Sequence, residues 1–140
     1  MESIDKEIFV LDLRLPVLVL TDCDPYGIDI MACYRFGSLA MACSGERLAV
    51  PSLLWLGLLP TDIKKMKIPR DTLKPLSIHD LKRLNDLAKR PYFANNDSFL
   101  EQLDELQTVG RKAEIQNISD DPGFITNNYL VDKIASYNWI

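Results

Sequence analysis

The stretch VLVLTDCDPYGIDI, Val17 to Ile30, sets an aliphatic run against two acids one residue apart, then a proline, an aromatic and a glycine. A continuous aliphatic run rich in β-branched residues reads as a strand buried on both faces, as in a parallel sheet. Gly27 permits a tight turn, and in IDIMACYRFGS the apolar Ile28, Met31 and Tyr34 recur at helical spacing. Gly37-Ser38 closes that helix as a C-cap. The stretch is therefore strand, acidic turn and helix, the opening unit of an α/β fold. Asp22 and Asp24 fall at the carboxyl end of the strand, where open α/β sheets bind their ligands.

Two readings compete for these acids. With one residue between them, both side chains share a face of an extended segment. Carboxylates that close repel and raise each other's pKa unless a cation sits between them. Hard oxygen donors favour Mg²⁺ or Mn²⁺, and Mg²⁺ is commonly held by one or two carboxylates plus waters and phosphate oxygens. The other reading is a helix start, where acids cap free N–H groups and complement the dipole. Asp24 before Pro25 suits it, since proline is favoured at the first helical position. A bare DxD does not choose between them.

Outward from this stretch, IDKEIFVLDL over residues 4–13 has mixed helical periodicity and reads as a short helix ended at Leu15-Pro16. A second strand is expected over Leu53–Leu56, bounded by Gly57 and Pro60. TDIKKM reads as a short helix with Thr61 as N-cap. SIHDLKRLNDLAKRP is a clearer helix: Ser77 caps, Asp80 stands at N3, Leu81, Leu84 and Leu87 form a stripe, and Pro91 stops it. DSFLEQLDELQTVG is another, capped by Asp97 or Ser98, with Phe99, Leu100, Leu103 and Leu106 inward and Gly110 at its end. RKAEIQNI reads as a further helical turn or two. The tail, helical in part, ends in Trp139-Ile140, an apolar terminus expected to dock. Two strands are too few for a stable parallel sheet, so either further strands are hidden or the chain is part of a larger domain.

The 140 residues suit one domain. A net charge of −4 argues against a strong nucleic-acid binder acting alone, because that affinity rests on Lys and Arg facing phosphates. Basic residues gather locally in IKKMKIPR and LKRLNDLAKRP, which read first as solvated helix faces. No apolar run is long enough to span a bilayer, and the acidic start MESIDKEIFVLDL is not a signal peptide. Cys23, Cys33 and Cys43 are odd in number and spaced by ten, which fits neither a CxxC site nor a disulfide framework and points to a reducing compartment, cytosolic or nuclear. Cys23 between two acids makes a poor nucleophile. His79, the only histidine, reads as structural, and Tyr26 and Tyr34 as packing aromatics. No Ser/His/Asp set, P-loop or Gly-rich dinucleotide loop is present.

VLTDCDPYGIDIMACYRFGS, followed in order by WLGLLPTDI, LKRPYF and KAEIQ, resembles the C-terminal part of the family of the meiotic recombination protein Spo-eleven. That family is related to the A-type chain of archaeal topoisomerase VI, and DCDPYG looks most like its plant members. The resemblance runs from about Leu15 to the end. It implies a partial Toprim domain, a small parallel sheet flanked by helices, over residues 1–140. It implies a part in the programmed DNA double-strand breaks that start meiotic recombination, hence DNA as substrate and the nucleus as location. The partner it implies is a second copy, forming a homodimer, or a topoisomerase-B-like protein, with no membrane. In the family a tyrosine attacks a DNA phosphodiester and leaves a 5′-phosphotyrosyl link, while the Toprim acids hold Mg²⁺ near that phosphate. The family's DxD maps onto Asp22 and Asp24.

The family's tyrosine belongs to an upstream winged-helix domain, and its glutamate ligand to an earlier Toprim strand. Neither is matched here: Met1 stands only about 20 residues before the DxD, and Glu2 and Glu7 lie too close before the strand to occupy an earlier strand's end. The chain thus reads as a fragment or short isoform with half a metal site and no catalytic residue. Two alternatives remain: a non-catalytic Toprim remnant serving as a dimerisation or docking module, and a phosphatase of the haloacid-dehalogenase type, whose DxD also follows an aliphatic strand. Such phosphatases carry Thr or Val where Tyr26 stands and need a downstream lysine and acidic pair.

Overall fold

The structure, a computed structural model, describes residues 15–37 and 50–140. The helix expected over residues 4–13 lies outside the described residues. Strand β1 (Leu18–Leu20) leads through the acidic turn into helix α1 (Pro25–Phe36). It pairs in parallel with β2 (Leu54–Gly57), Leu18 opposite Leu54 and Val19 opposite Trp55. An irregularity after Val19 brings Leu20 opposite Gly57. The α/β architecture with a small parallel sheet is the one the aliphatic runs imply.

Trp55 has its other backbone edge free, and the last residue of the chain takes it. The Trp55 N–H donates to the Ile140 carbonyl at 2.7 Å, and Ile140 returns an N–H to the Trp55 carbonyl at 3.1 Å. Arg35 from α1 donates to the same Ile140 carbonyl at 3.0 Å. The apolar terminus is thus docked through its backbone, as its composition demanded.

The helices cover this sheet. Short α2 (Pro60–Lys65) follows β2, and a 3₁₀ turn (Arg70–Thr72) leads to β3 (Lys74–Pro75). Next come α3 (Ile78–Lys89), α4 (Pro91–Ala94) and α5 (Asp97–Val109), then β4 (Arg111–Lys112), antiparallel to β3. A 3₁₀ turn (Ile115–Asn117), a π-helical turn (Ile125–Tyr129) and α6 (Leu130–Ala135) complete it. α3 packs on α1, and α5 packs on α2, α3 and α4. Between them lies a core whose largest fully buried side chains include Trp55, Phe93, Phe99, Ile28 and Met31. Edge-to-face contacts join Trp55 to Phe99 and Phe36 to Phe99.

Several boundaries differ from the sequence expectation, each for a local reason. The residue that caps α2 is Leu59 rather than Thr61, because Pro60 fits the first helical position and moves the start back. Thr61 instead ties α2 to α5, its N–H and hydroxyl both donating to Gln102 Oε1 at 3.2 and 3.1 Å. Helix α5 is capped by Asn96, which accepts from the Phe99 N–H at 3.2 Å, rather than by Asp97 or Ser98. Pro91 ends α3 but also opens α4 at once. Along α3, Leu84 and Leu87 are buried while Leu81 is half out of the protein, since each three-residue step falls short of a full turn and Leu81 drifts to the stripe's edge. Leu100 is only half-buried beside the buried Phe99, Leu103 and Leu106. RKAEIQNI is not a helix at its start: Arg111–Lys112 is strand and Ala113 bridges to Cys23.

Candidate metal centre

The acid turn is held by that bridge. Cys23 donates to the Ala113 carbonyl at 2.8 Å, and Ala113 donates back to the Cys23 carbonyl at 3.0 Å. In an antiparallel pair the neighbours of directly opposed residues take the other face. The bridge therefore sets Lys112 at the register position facing Asp24 and Glu114 at that facing Asp22. Cys23 itself turns inward, 1% exposed. Burial, with Asp24, Asp62 and Asp22 nearby, pushes its thiol far above the usual range, so it offers no thiolate.

Each aspartate has one oxygen tied down. Asp22 Oδ1 accepts the Ile115 N–H at 2.7 Å. Asp24 Oδ1 accepts the Gly27 N–H at 2.6 Å and caps α1, with Pro25 at the first helical position. The helix-cap reading of Asp24 is thus correct, and it uses only one oxygen. Both Oδ2 atoms lack a protein partner among the described residues. Gly27 is required here: a Cβ on it would lie 2.3 Å from the Asp22 carbonyl oxygen and 3.1 Å from Asp24 Oδ1. The close approach of the first turn of α1 to the Asp22 backbone needs a residue with no side chain.

Burial raises the Asp24 carboxyl above its ordinary pKa, and Asp22 adds to the rise; the Gly27 N–H and Lys112 oppose it. Lys112 is bound to Asp80 of α3 at 2.7 Å, so α3 reaches the site through an ion pair. Burial would raise Asp80 as well, but Lys112 and the Ser77 cap outweigh it and hold that carboxyl below its ordinary value. Glu114 is paired with Lys74 of β3. Sequence reasoning read Asp80 only as a helix-capping acid and passed over Lys112 and Glu114, for which the alternation in KAE was the available signal, had the segment been read as strand.

The donor set suits a hard divalent cation: two open carboxylate oxygens, one on an acid whose charge burial disfavours. Among the described residues no three His, Cys, Asp or Glu side chains converge as a metal-binding group, so Asp22 and Asp24 stand as a pair of carboxylates without a third. The remaining candidates fall elsewhere. His79 is exposed on α3. Tyr34 is half-buried against the core. Tyr26, expected to pack, is 57% exposed, with the Arg83 guanidinium over its ring at 5.3 Å. At the second position of α1 it points off the helix start rather than into the core.

Residues 7–134 match the family model for the Toprim domain of Spo11 and the topoisomerase 6 A chain. The meiotic recombination protein SPO11 of Mus musculus is 40% identical over 130 residues, 91% of this chain and 32% of that protein. SPO11 of Homo sapiens is 35% identical over 128 residues, 91% of this chain and 32% of the relative. The A-type chain of DNA topoisomerase 6 from Arabidopsis thaliana is 35% identical over 132 residues, 93% of this chain and 31% of the relative. The chain therefore spans about a third of the length of these curated relatives. On the match over residues 7–134, the chain belongs to the Spo11/topoisomerase 6 A family and carries its Toprim domain.

Proposed function

We propose that Asp22 and Asp24 hold Mg²⁺ in the C-terminal Toprim portion of a DNA-cleaving transesterase that makes meiotic double-strand breaks in the nucleus. The observation that carries this is the pair of open Oδ2 atoms at the end of β1, with Asp24 burdened by burial and by its neighbour. When bound, Mg²⁺ would neutralise a DNA phosphate and stabilise charge on the attacking and leaving oxygens. The chain's own residues do the placing. Ala113 and Ile115 fix the acid turn from one side, and the first turn of α1 fixes it from the other. The nucleophilic tyrosine and the glutamate ligand implied by the family resemblance belong to other segments, and the assembly is a homodimer or a complex with a topoisomerase-B-like protein. The 140-residue polypeptide by itself does not cleave DNA.

The test is direct. Calorimetry or Mn²⁺ electron paramagnetic resonance on the 140-residue chain should show one weak divalent site, lost in Asp22→Asn and Asp24→Asn. Retained binding in both variants sinks the assignment. With Mg²⁺ and supercoiled plasmid the same chain should give no covalent 5′-linked product.

A second reading, a Toprim module for dimerisation or docking without catalysis, draws on one observation. Val131, Ile134 and Tyr137 stand at three-residue intervals along α6 and its end, and are 54%, 49% and 77% exposed. Family membership favours either reading over the phosphatase.

A further inference from the structure

Beside the acid turn, α1 and α3 enclose a groove of about 410 Å³, and we infer that it seats a DNA backbone phosphate through Arg83 and Lys82, next to the one the acids would face. This rests on the DNA reading above but on different residues. Asp29 of α1 is 2% exposed and accepts from Arg83 Nη1 at 2.8 Å and Arg90 Nη1 at 2.7 Å. Two guanidiniums thus share one carboxylate, and one positive charge is left over. The buried carboxylate fixes both arginines from behind, so the groove's charge is placed before a ligand arrives. Arg90 is further spent on the Tyr92 hydroxyl at 3.1 Å. Arg83 is not: its side chain is 42% exposed, and its Nε and Nη2 have no partner among the described residues.

A guanidinium held at one end and open at the other presents a planar fork that matches two phosphate oxygens. Lys82 adds an exposed ammonium with no partner among the described residues. Tyr26, two residues after Asp24, forms the near wall, its ring under the Arg83 guanidinium. Two acids line the groove. Asp80 is already neutralised by Lys112. Asp86 is exposed, has no cation partner among the described residues, and weakens the seat.

Fluorescence anisotropy of a labelled DNA duplex on the 140-residue chain, titrated across salt concentrations, tests the seat. Lys82→Ala removes no packing and should lower the slope of log affinity against log salt by about one. Arg83→Ala, which leaves Arg90 on Asp29, should weaken binding about tenfold. Arg83→Lys should recover the salt slope but only part of the affinity. Asp86→Asn should tighten binding. Thermal unfolding checks that each variant folds; if Arg83→Ala does not, Lys82→Ala and Arg83→Lys decide. Unchanged affinity and slope in those variants overturns the seat, as does failure of the unaltered chain to bind duplex at low salt. Binding of a mononucleotide as tight as that of duplex overturns the assignment to DNA. The metal reading fails separately, through Asp22→Asn and Asp24→Asn in Mn²⁺ binding, a readout that Arg83 and Lys82 do not enter.

Discussion

Among single residues, Asp62 and its partners show what a buried charge needs. Asp62 is 3% exposed, and its Oδ2 accepts from Tyr129 Oη and Lys133 Nζ, both at 2.6 Å. The Leu59 N–H adds a third bond at 3.3 Å. Unpaired, such a carboxylate would be untenable in the interior; with these donors, and Asn138 Nδ2 at 3.5 Å from Oδ1, it locks the C-terminal turn onto α2. The Tyr129 hydroxyl sits so close to β2 that a Cβ on Gly57 would lie 2.0 Å from it, which is why that strand ends in glycine. Burial, and then the Asp62 carboxylate, push the Tyr129 phenol well above its ordinary pKa. The folded state therefore resists losing this proton while the unfolded chain loses it at the usual value. The stabilisation is complete below about pH 10 and declines as pH rises beyond it. Unfolding temperature measured from pH 8 to 11 should fall at the alkaline end. Tyr129→Phe should cost about 1–3 kcal/mol at neutral pH, from the lost bond to a buried charge, yet flatten that alkaline fall. An alkaline limb as steep in the phenylalanine variant would refute the assignment.

The elements read most clearly from the sequence are those whose signals are local. In α3 the Ser77 hydroxyl accepts the Asp80 N–H at 3.1 Å and Asp80 Oδ2 accepts the Ser77 N–H at 2.9 Å, the capping box that SIHD announces. Gly110, at φ 71°, ends α5 in the left-handed conformation expected of a glycine after a periodic run. The parallel pairing of β1 with β2 follows from two aliphatic runs with a helix between them. What was not legible depends on partners distant in sequence. KAE became a strand segment because Cys23, some ninety residues earlier, offered its backbone edge. So the two aspartates could be found as a motif, while the lysine beside them could not. Because Asp80 serves both the cap and Lys112, the box does more than start a helix. Ser77→Ala should cost about 1 kcal/mol in urea unfolding, in the range of other cap removals. A loss under a few tenths would show that Lys112, not the cap, holds the start of α3.

For the molecule as a whole, the question is what its open surfaces meet. Among the described residues β1 has a neighbour on one side only, β2, so one row of its backbone groups is unpaired. Exposed strand edges invite further pairing unless something covers them. At the other end, Val131, Ile134 and Tyr137 present an apolar line along α6 that the lock at Asp62 holds rigid from beneath. Lys133, 4% exposed between Val131 and Ile134, shows that the opposite side of α6 is the one turned inward. A stiff, apolar, outward helix face together with an open edge favours association over a free monomer. Sedimentation velocity over a range of concentrations should therefore show the 140-residue chain self-associating. Val131→Glu with Ile134→Glu should shift it toward monomer without changing Mn²⁺ binding at Asp22 and Asp24. If the chain is instead a compact, stable monomer at all concentrations, neither surface serves self-association. If the double variant associates as before, the strand edge rather than α6 carries the contact, and Leu18→Pro, which removes an N–H on the side of β1 facing away from β2, becomes the discriminating change.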